Sequence, residues 1–209
     1  MDRYLCERVT VLNMANPKKS PATYADIEAL PLHIVGEILF GVLHTQPRPA
    51  RRHTAAASGI GGILAPPFNF GSNGGPGGWI ILDEPELHLG PHVVVPDLAG
   101  WRSERLAGKG DGAYFEEVPD WVCEVQSPST KHIDLSVKRR IYATYEVPYL
   151  WYVDPVEQTL EVFKLQKSDW LLTHTFVGGQ PVSAPPFDAI TFDLKLLWPF
   201  DKPFETDGL

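Results

Sequence analysis

A mixed α/β domain, with a central sheet flanked by helices and an extra antiparallel hairpin, is the fold class that this sequence predicts. Three observations predict it. The apolar run Trp121 to Val125 leads through a helical stretch to a second apolar run, Tyr149 to Val153, which makes one β-α-β crossover. Thr159 to Leu165 and Trp170 to Phe176 alternate around Lys167-Ser168-Asp169, as the arms of a hairpin do. Short runs rich in tryptophan and β-branched residues, Trp79 to Leu82 and His92 to Val95, read as a pair of strands joined through the acidic turn Asp83-Glu84-Pro85-Glu86. At 209 residues the chain suits one domain with a real core. Residues 1–16 read as a flexible N-terminal extension, because an organised pattern starts only after Met14-Ala15-Asn16-Pro17, and residues 17–209 read as the domain.

The elements follow in order. Thr23 caps a short amphipathic helix from Tyr24 to Leu30 that stops at Pro31. His33 to His44 alternates around Phe40-Gly41, which predicts a hairpin or bent strand with Glu37 near its middle. From Arg51 to Phe68 the run His53 to Ser58 favours helix, while Gly59, Gly61, Gly62 and Pro66-Pro67 weaken the second half. Phe70 to Gly78 is a Gly-rich surface loop that lacks the Lys-Ser/Thr ending of a phosphate loop. Ser127-Pro128-Ser129-Thr130 ends the Trp121 strand and offers caps to the helix that follows. There Ile133, Val137, Ile141 and Tyr145 recur every four residues, with Asp134, Lys138 and Tyr142 forming the adjacent stripe. The Pro- and Phe-rich tail from Pro181 wraps the core.

Hydrophobic content of 44% with 21% charged residues is globular, and no run approaches the roughly 18 apolar residues of a membrane span. Glu7, Arg8 and Asn13 interrupt the N-terminal segment, so it has no secretory h-region. Cys6 and Cys123 have no metal-type spacing, and a reducing cytoplasm is the expected compartment. A net charge of −8 counts against a nucleic-acid partner, whose phosphates are neutralised by Lys and Arg. Charge is uneven, however. Arg48, Arg51 and Arg52 cluster near His53, Arg102 and Arg105 follow Asp97, and Lys131, Lys138, Arg139 and Arg140 follow Glu124.

The chemistry concentrates between Val93 and Lys138. Pro96-Asp97 closes one apolar run and Glu124-Val125-Gln126 closes another, so two carboxylates at the ends of adjacent strands would converge on a hard cation such as Mg²⁺ or Mn²⁺, with the Val125 carbonyl as a third ligand. Glu37 would complete the acidic shell. Lys138 would orient water or stabilise a phosphorane-like transition state, and Gln126, two residues beyond Glu124 on the same strand face, would hold the same water. Taken singly, several of these have plainer readings. Asp after Pro is a common turn residue, Lys138 pairs with Asp134 at i,i+4 on a solvated face, Glu37 suits an edge strand, and His53, which could contact phosphate or position a metal-bound water, more often suits a structural role. Glu124 does not, because a carboxylate between Cys123 and Val125 in a buried strand is costly unless paired or metal-bound. His88 and His92 lack zinc spacing, Ser127 and Ser129 lack a nucleophile-elbow setting, and the six tryptophans read mostly as core.

Asp83-Glu84-Pro85-Glu86-Leu87, Val95 to Trp101, Pro119 to Val125 with Ser127 to Thr130, then Asp134, Lys138, Tyr142 and Val147-Pro148, resemble the Uma2 family of restriction-endonuclease-like proteins within the PD-(D/E)XK nuclease superfamily, over roughly Thr23 to Phe163. The resemblance implies a restriction-endonuclease-like fold and a Mg²⁺-dependent endonuclease acting on DNA, as a homodimer because cutting two strands needs two sites. It also implies site positions for Glu37, Asp97 and Glu124, with Gln126 standing where the superfamily's lysine would be and Lys138 matching the family's helical lysine. The alternative is a non-catalytic binding or regulatory protein on the same fold, favoured by the acidic charge and by Gln126.

Overall fold

The computed structural model describes residues 20–46, 48–110, 112–127 and 131–200. The proposed extension 1–16, Cys6, and the capping residues Ser129 and Thr130 lie outside them. Helix α1 (Tyr24–Glu28) opens at Thr23, whose backbone N–H and hydroxyl both donate to Asp26. Strands β1 (Val35–Leu39) and β2 (Val42–Gln46) form the expected hairpin. Its two turn residues, Phe40 and Gly41, both have positive φ, at 51° and 75°, as a two-residue hairpin turn requires.

Helix α2 (Arg51–Phe68) is continuous, where the sequence predicts weakening after Ser58. Ala56, Ile60, Leu64 and Phe68 recur every four residues and are buried in the core, and this packing outweighs the low propensity of the glycines. Gly59 lets Leu197 pack closely on the helix, since a Cβ there would sit 2.9 Å from Leu197 Cδ2 and that side chain would have to shift. Pro66 and Pro67 fall in the last turn. Asn69 then ties the helix end to the sheet, donating to Ile81 O and accepting from Ile81 N.

Strands β3 (Trp79–Asp83), β4 (Leu87–Leu89), β5 (His92–Val94) and β6 (Leu98–Arg102) correct one expectation. The Trp79 and His92 runs are not partners: β3 pairs antiparallel with β6, while β5 pairs with β4 and with β1. Gly90-Pro91 is the turn responsible, folding β5 straight back on β4 with φ of 59° at Gly90. After a short helix α3 (Ser103–Leu106) comes β7 (Trp121–Val125), buried throughout. The crossover helix runs as α4 (Lys131–Ile133), a π segment (Asp134–Lys138) and α5 (Arg139–Thr144), and returns to β8 (Tyr149–Asp154), parallel to β7. β9 (Thr159–Gln166) and β10 (Asp169–Val177) are the predicted hairpin.

The main sheet is mixed, in the order β10-β9-β8-β7-β6-β3, beside a four-stranded antiparallel sheet ordered β2-β1-β5-β4. One face of the main sheet packs on α2 and on the C-terminal segment through Phe187, Leu194 and Leu197. The other packs on the crossover helix and the small sheet through Leu87, Val94, Ile141 and Tyr142. Of the tryptophans, Trp79, Trp101, Trp121, Trp151 and Trp198 are buried, as expected.

Candidate active site

Asp97 lies one residue before β6, and Glu124 is the fourth residue of β7. The antiparallel register pairs Leu98 with Cys123, so continuing it by one residue sets Asp97 opposite Glu124 with both side chains on one face. Val125 N–H donates to Asp97 Oδ2 at 2.7 Å. In a strand the N–H and C=O of one residue project to the same edge, so the Val125 carbonyl also faces Asp97. One step further the register brings Pro96 opposite Val125. Proline has no N–H to give that carbonyl.

Glu37 reaches the same place from the other sheet. Its Oε1 accepts Val95 N–H at 2.8 Å and lies 3.0 Å from Lys138 Nζ. Lys138 arrives from the crossover helix, where the π segment closes with an i+5 bond from Arg139 N–H to Asp134 O. Its ammonium also donates to Val95 O at 3.1 Å, lies 3.3 Å from each oxygen of Glu124, and is 3.7 Å from Asp134 Oδ1. One turn on, Tyr142 O–H donates to Glu124 Oε1 at 2.5 Å. Tyr152 O–H donates to the Asp134 carbonyl at 2.8 Å. The solvated i,i+4 reading of Lys138 is therefore overturned: its side chain is 1% exposed.

The structure thus joins Glu37, Glu124 and Lys138 in one network and sets Asp97 at its rim. Gln126 is buried just past the end of β7, and its backbone N–H donates to Val153 O. Three further residues belong to the cluster. Asp134 and Tyr142 were legible as one stripe with Lys138, at spacings of four. His53 reads from the sequence as more often structural than functional, because a lone histidine has no spacing signal, yet its Nε2 lies 3.1 Å from Asp97 Oδ1. Its Nδ1 is buried with no hydrogen-bond partner among the described residues.

The electrostatics show an excess of negative charge. Burial pushes the Glu124 carboxyl well above its ordinary range; Lys138 opposes this, but the charges of Asp134, Asp97 and Glu37 add to it. Burial alone would lower Lys138, but Glu124, Glu37, Asp134 and Asp97 together hold it well above its ordinary value. Lys138 is accordingly a fixed cation. Burial and the adjacent Glu124 raise the Tyr142 phenol, which keeps it a hydrogen-bond donor. His53 is raised: burial works against its protonation, and the hydrogen bond and charge of Asp97 prevail, with help from Asp134 and Glu84.

An oxygen-only donor set with surplus negative charge is the environment that hard divalent cations take. Among the described residues no three His, Cys, Asp or Glu side chains converge tightly enough to cage an ion by themselves. Mg²⁺ commonly uses one or two carboxylates and fills its remaining positions with other oxygens and water, and Asp97, Glu124 and the Val125 carbonyl are donors of that kind. The residues present fit such an ion.

Residues 31–195 match a family model described as "Uma2: Putative restriction endonuclease". Among solved structures, one described as "a putative nuclease belonging to DUF820 from Anabaena variabilis ATCC 29413" superposes with a TM-score of 0.64 at 23% identity, over 85% of this chain and 98% of that one. That likeness shows a shared fold, with the mixed central sheet and flanking helices that the sequence predicts. No curated protein matches.

Proposed function

The chain belongs to the Uma2 family, and from that premise we propose that it is a metal-dependent endonuclease hydrolysing DNA phosphodiester bonds. The observation that carries the reading is the placement of Asp97 and Glu124 opposite one another on neighbouring strands, with the Val125 carbonyl on the same edge and more buried negative charge than Lys138 and His53 offset.

Asp97, Glu124 and the Val125 carbonyl would hold a Mg²⁺ or Mn²⁺ ion. Such an ion supplies Lewis-acid polarisation of a phosphate oxygen and a bound water of lowered pKa. The remaining work falls to the chain. Tyr142 and Lys138 fix the Glu124 carboxylate, and Val125 N–H and His53 fix that of Asp97, so neither has to be ordered on loading. Glu37 anchors Lys138, whose fixed charge lies beneath the carboxylates and opposes the negative charge that grows on the phosphoryl oxygens in the transition state. Gln126, two residues past Glu124 on the same strand face, would orient the attacking water through its amide. A homodimer would bring one such site to each strand of a duplex. None of the described helices is long and apolar enough to cross a membrane.

A second reading has one observation in its favour. Glu124 is already bonded by Tyr142 and Lys138, so the cluster can also be read as a closed structural network on a binding protein. Calorimetric titration of Mg²⁺ and Mn²⁺ into the parent protein, Asp97→Ala and Glu124→Ala, with plasmid nicking on the same samples, separates the two. The nuclease reading expects metal binding and nicking in the parent and loss of both in each variant. A parent protein that binds no metal overturns it in favour of the second.

A further inference from the structure

Resting on the nuclease reading above, we propose that Arg48, Arg51 and Arg52 form the surface that holds the substrate's phosphate backbone and brings it to Asp97. The opening of the site decides where a polymer can approach. The side chains of Glu37, Glu124 and Lys138 are 1–2% exposed, whereas Asp97 is 15% exposed and His53, beside it, is 13%. Substrate therefore meets the cluster at its Asp97 and His53 end.

His53 belongs to the first turn of α2, and the residues on either side of that contact face water. Arg51 and Arg52 begin the helix and Arg48 precedes it; all three are exposed. Arg52 and Pro155, just past the end of β8, line one shallow hollow together with Leu197 and Trp198. Arg51 and Arg52 therefore lie within one helical turn of the group that touches Asp97, and Arg48 lies five residues before it in sequence.

Their sequence position is locally unfavourable. A helix N-terminus carries partial positive charge and favours acidic residues, as Asp26 in α1 and Glu104 in α3 illustrate. The first turn of α2 has no acidic residue and two arginines. In a chain with 18 Lys and Arg against 26 Asp and Glu, three arginines within five residues are a concentration of positive charge at a helix end that disfavours it. A bound polyanion reverses the sign of that cost. Arginine's planar fork suits the paired oxygens of a phosphodiester, and contacts of this kind position a backbone without reading its bases. The surface therefore predicts binding that depends strongly on salt and weakly on sequence.

The test compares the parent with a variant carrying Arg48→Gln, Arg51→Gln and Arg52→Gln, using anisotropy of a fluorescein-labelled DNA duplex in Ca²⁺ across a salt series, with Mn²⁺ affinity and thermal midpoint measured alongside. The variant should bind at least tenfold more weakly at low salt. Its slope of log K against log salt should be shallower by about 0.9 for each phosphate that the arginines no longer neutralise, with Mn²⁺ affinity and midpoint unchanged. Parent and variant binding DNA equally, with the same slope, would overturn this inference and leave the nuclease reading standing. A parent that fails to bind the duplex overturns both. Tighter binding of an RNA duplex than of DNA, with the same weakening in the variant, upholds the phosphate surface and moves the substrate.

Discussion

Replacing Lys138 by Met keeps a side chain of similar reach in the space between the sheets and removes only the ammonium. Glu37, Glu124, Asp134 and the Val95 carbonyl then lose the cation at 3.0 to 3.7 Å that they share. Breaking a buried pair by deleting one partner costs about 3–5 kcal/mol, because the remaining charge stays buried without compensation. In a chain of this size each kcal/mol is worth about 2–4 °C, so the thermal midpoint should fall on the order of 10 °C at pH 8. The deficit should depend on pH with a definite sign. Glu124 already titrates above its ordinary range, and Lys138 is the contact that holds it down. The variant should raise it further. A carboxyl with a raised folded-state pKa contributes stability below its unfolded value, near about 4.3, and loses it as pH rises through the folded value. The gap between parent and variant should therefore be small near pH 5 and widen toward pH 8, as read by circular dichroism melts of both proteins at each pH. A variant within about 1 kcal/mol of the parent at pH 8, or a gap independent of pH, would refute a buried cation compensating several carboxylates.

Tyr142→Phe keeps the packing of the ring but removes the O–H donated to Glu124, and should cost about 1.5–3 kcal/mol in urea unfolding and weaken Mn²⁺ binding in calorimetry; unchanged values in both would dissociate this hydroxyl from the site. His92 titrates below its ordinary value because it is buried, and its Nδ1 accepts Phe40 N–H. Its contribution is present above the unfolded pKa of about 6.5 and is lost as pH falls below it, so His92→Gln should lose less stability than the parent between pH 7.5 and 5.5 in parallel denaturation curves. Burial, with the nearby charges of Asp97 and Glu124, raises the Cys123 thiol well above its ordinary range. In a Cys6→Ser background a thiol reagent should leave it untouched until denaturant is added, and rapid native labelling would mean that β7 opens.

Much of the fold was legible where periodicity was long and consistent. The β7 crossover, the β9–β10 hairpin and the turn at Phe40-Gly41 followed from alternation and turn residues alone. The carboxylates were legible because charge inside an apolar strand needs an explanation, and Glu124 supplied one. What escaped was information held by other parts of the chain. An apolar run such as Trp79 to Leu82 does not carry the identity of its partner, and β3 found β6 rather than β5. The glycines and prolines of α2 argued against a helix that tertiary burial of Ile60 and Leu64 sustains. The depth of Lys138 was hidden as well, since a helical stripe gives direction but not burial, and the π segment that turns it inward has no sequence marker. His53 needed the fold itself to bring α2 against the Asp97 strand end.

The β1–β2 hairpin joins the rest of the protein through the ladder pair Ile38 with Val93, the Phe40 N–H to His92, the Gly41 carbonyl that accepts Ala22 N–H, the buried side chains of Ile38 and Leu39, and the bonds of Glu37 to Val95 and Lys138. Glu37 is thus a fastener between two sheets as well as a member of the acidic cluster. If the hairpin lifts, the cluster loses a carboxylate and Lys138 loses its closest one, so the balance of charge around Glu124 changes at the same moment. Any opening of this hairpin would therefore take the site apart as well. Slow amide exchange along Val35 to Leu39 would mark the fraction of molecules whose site is assembled.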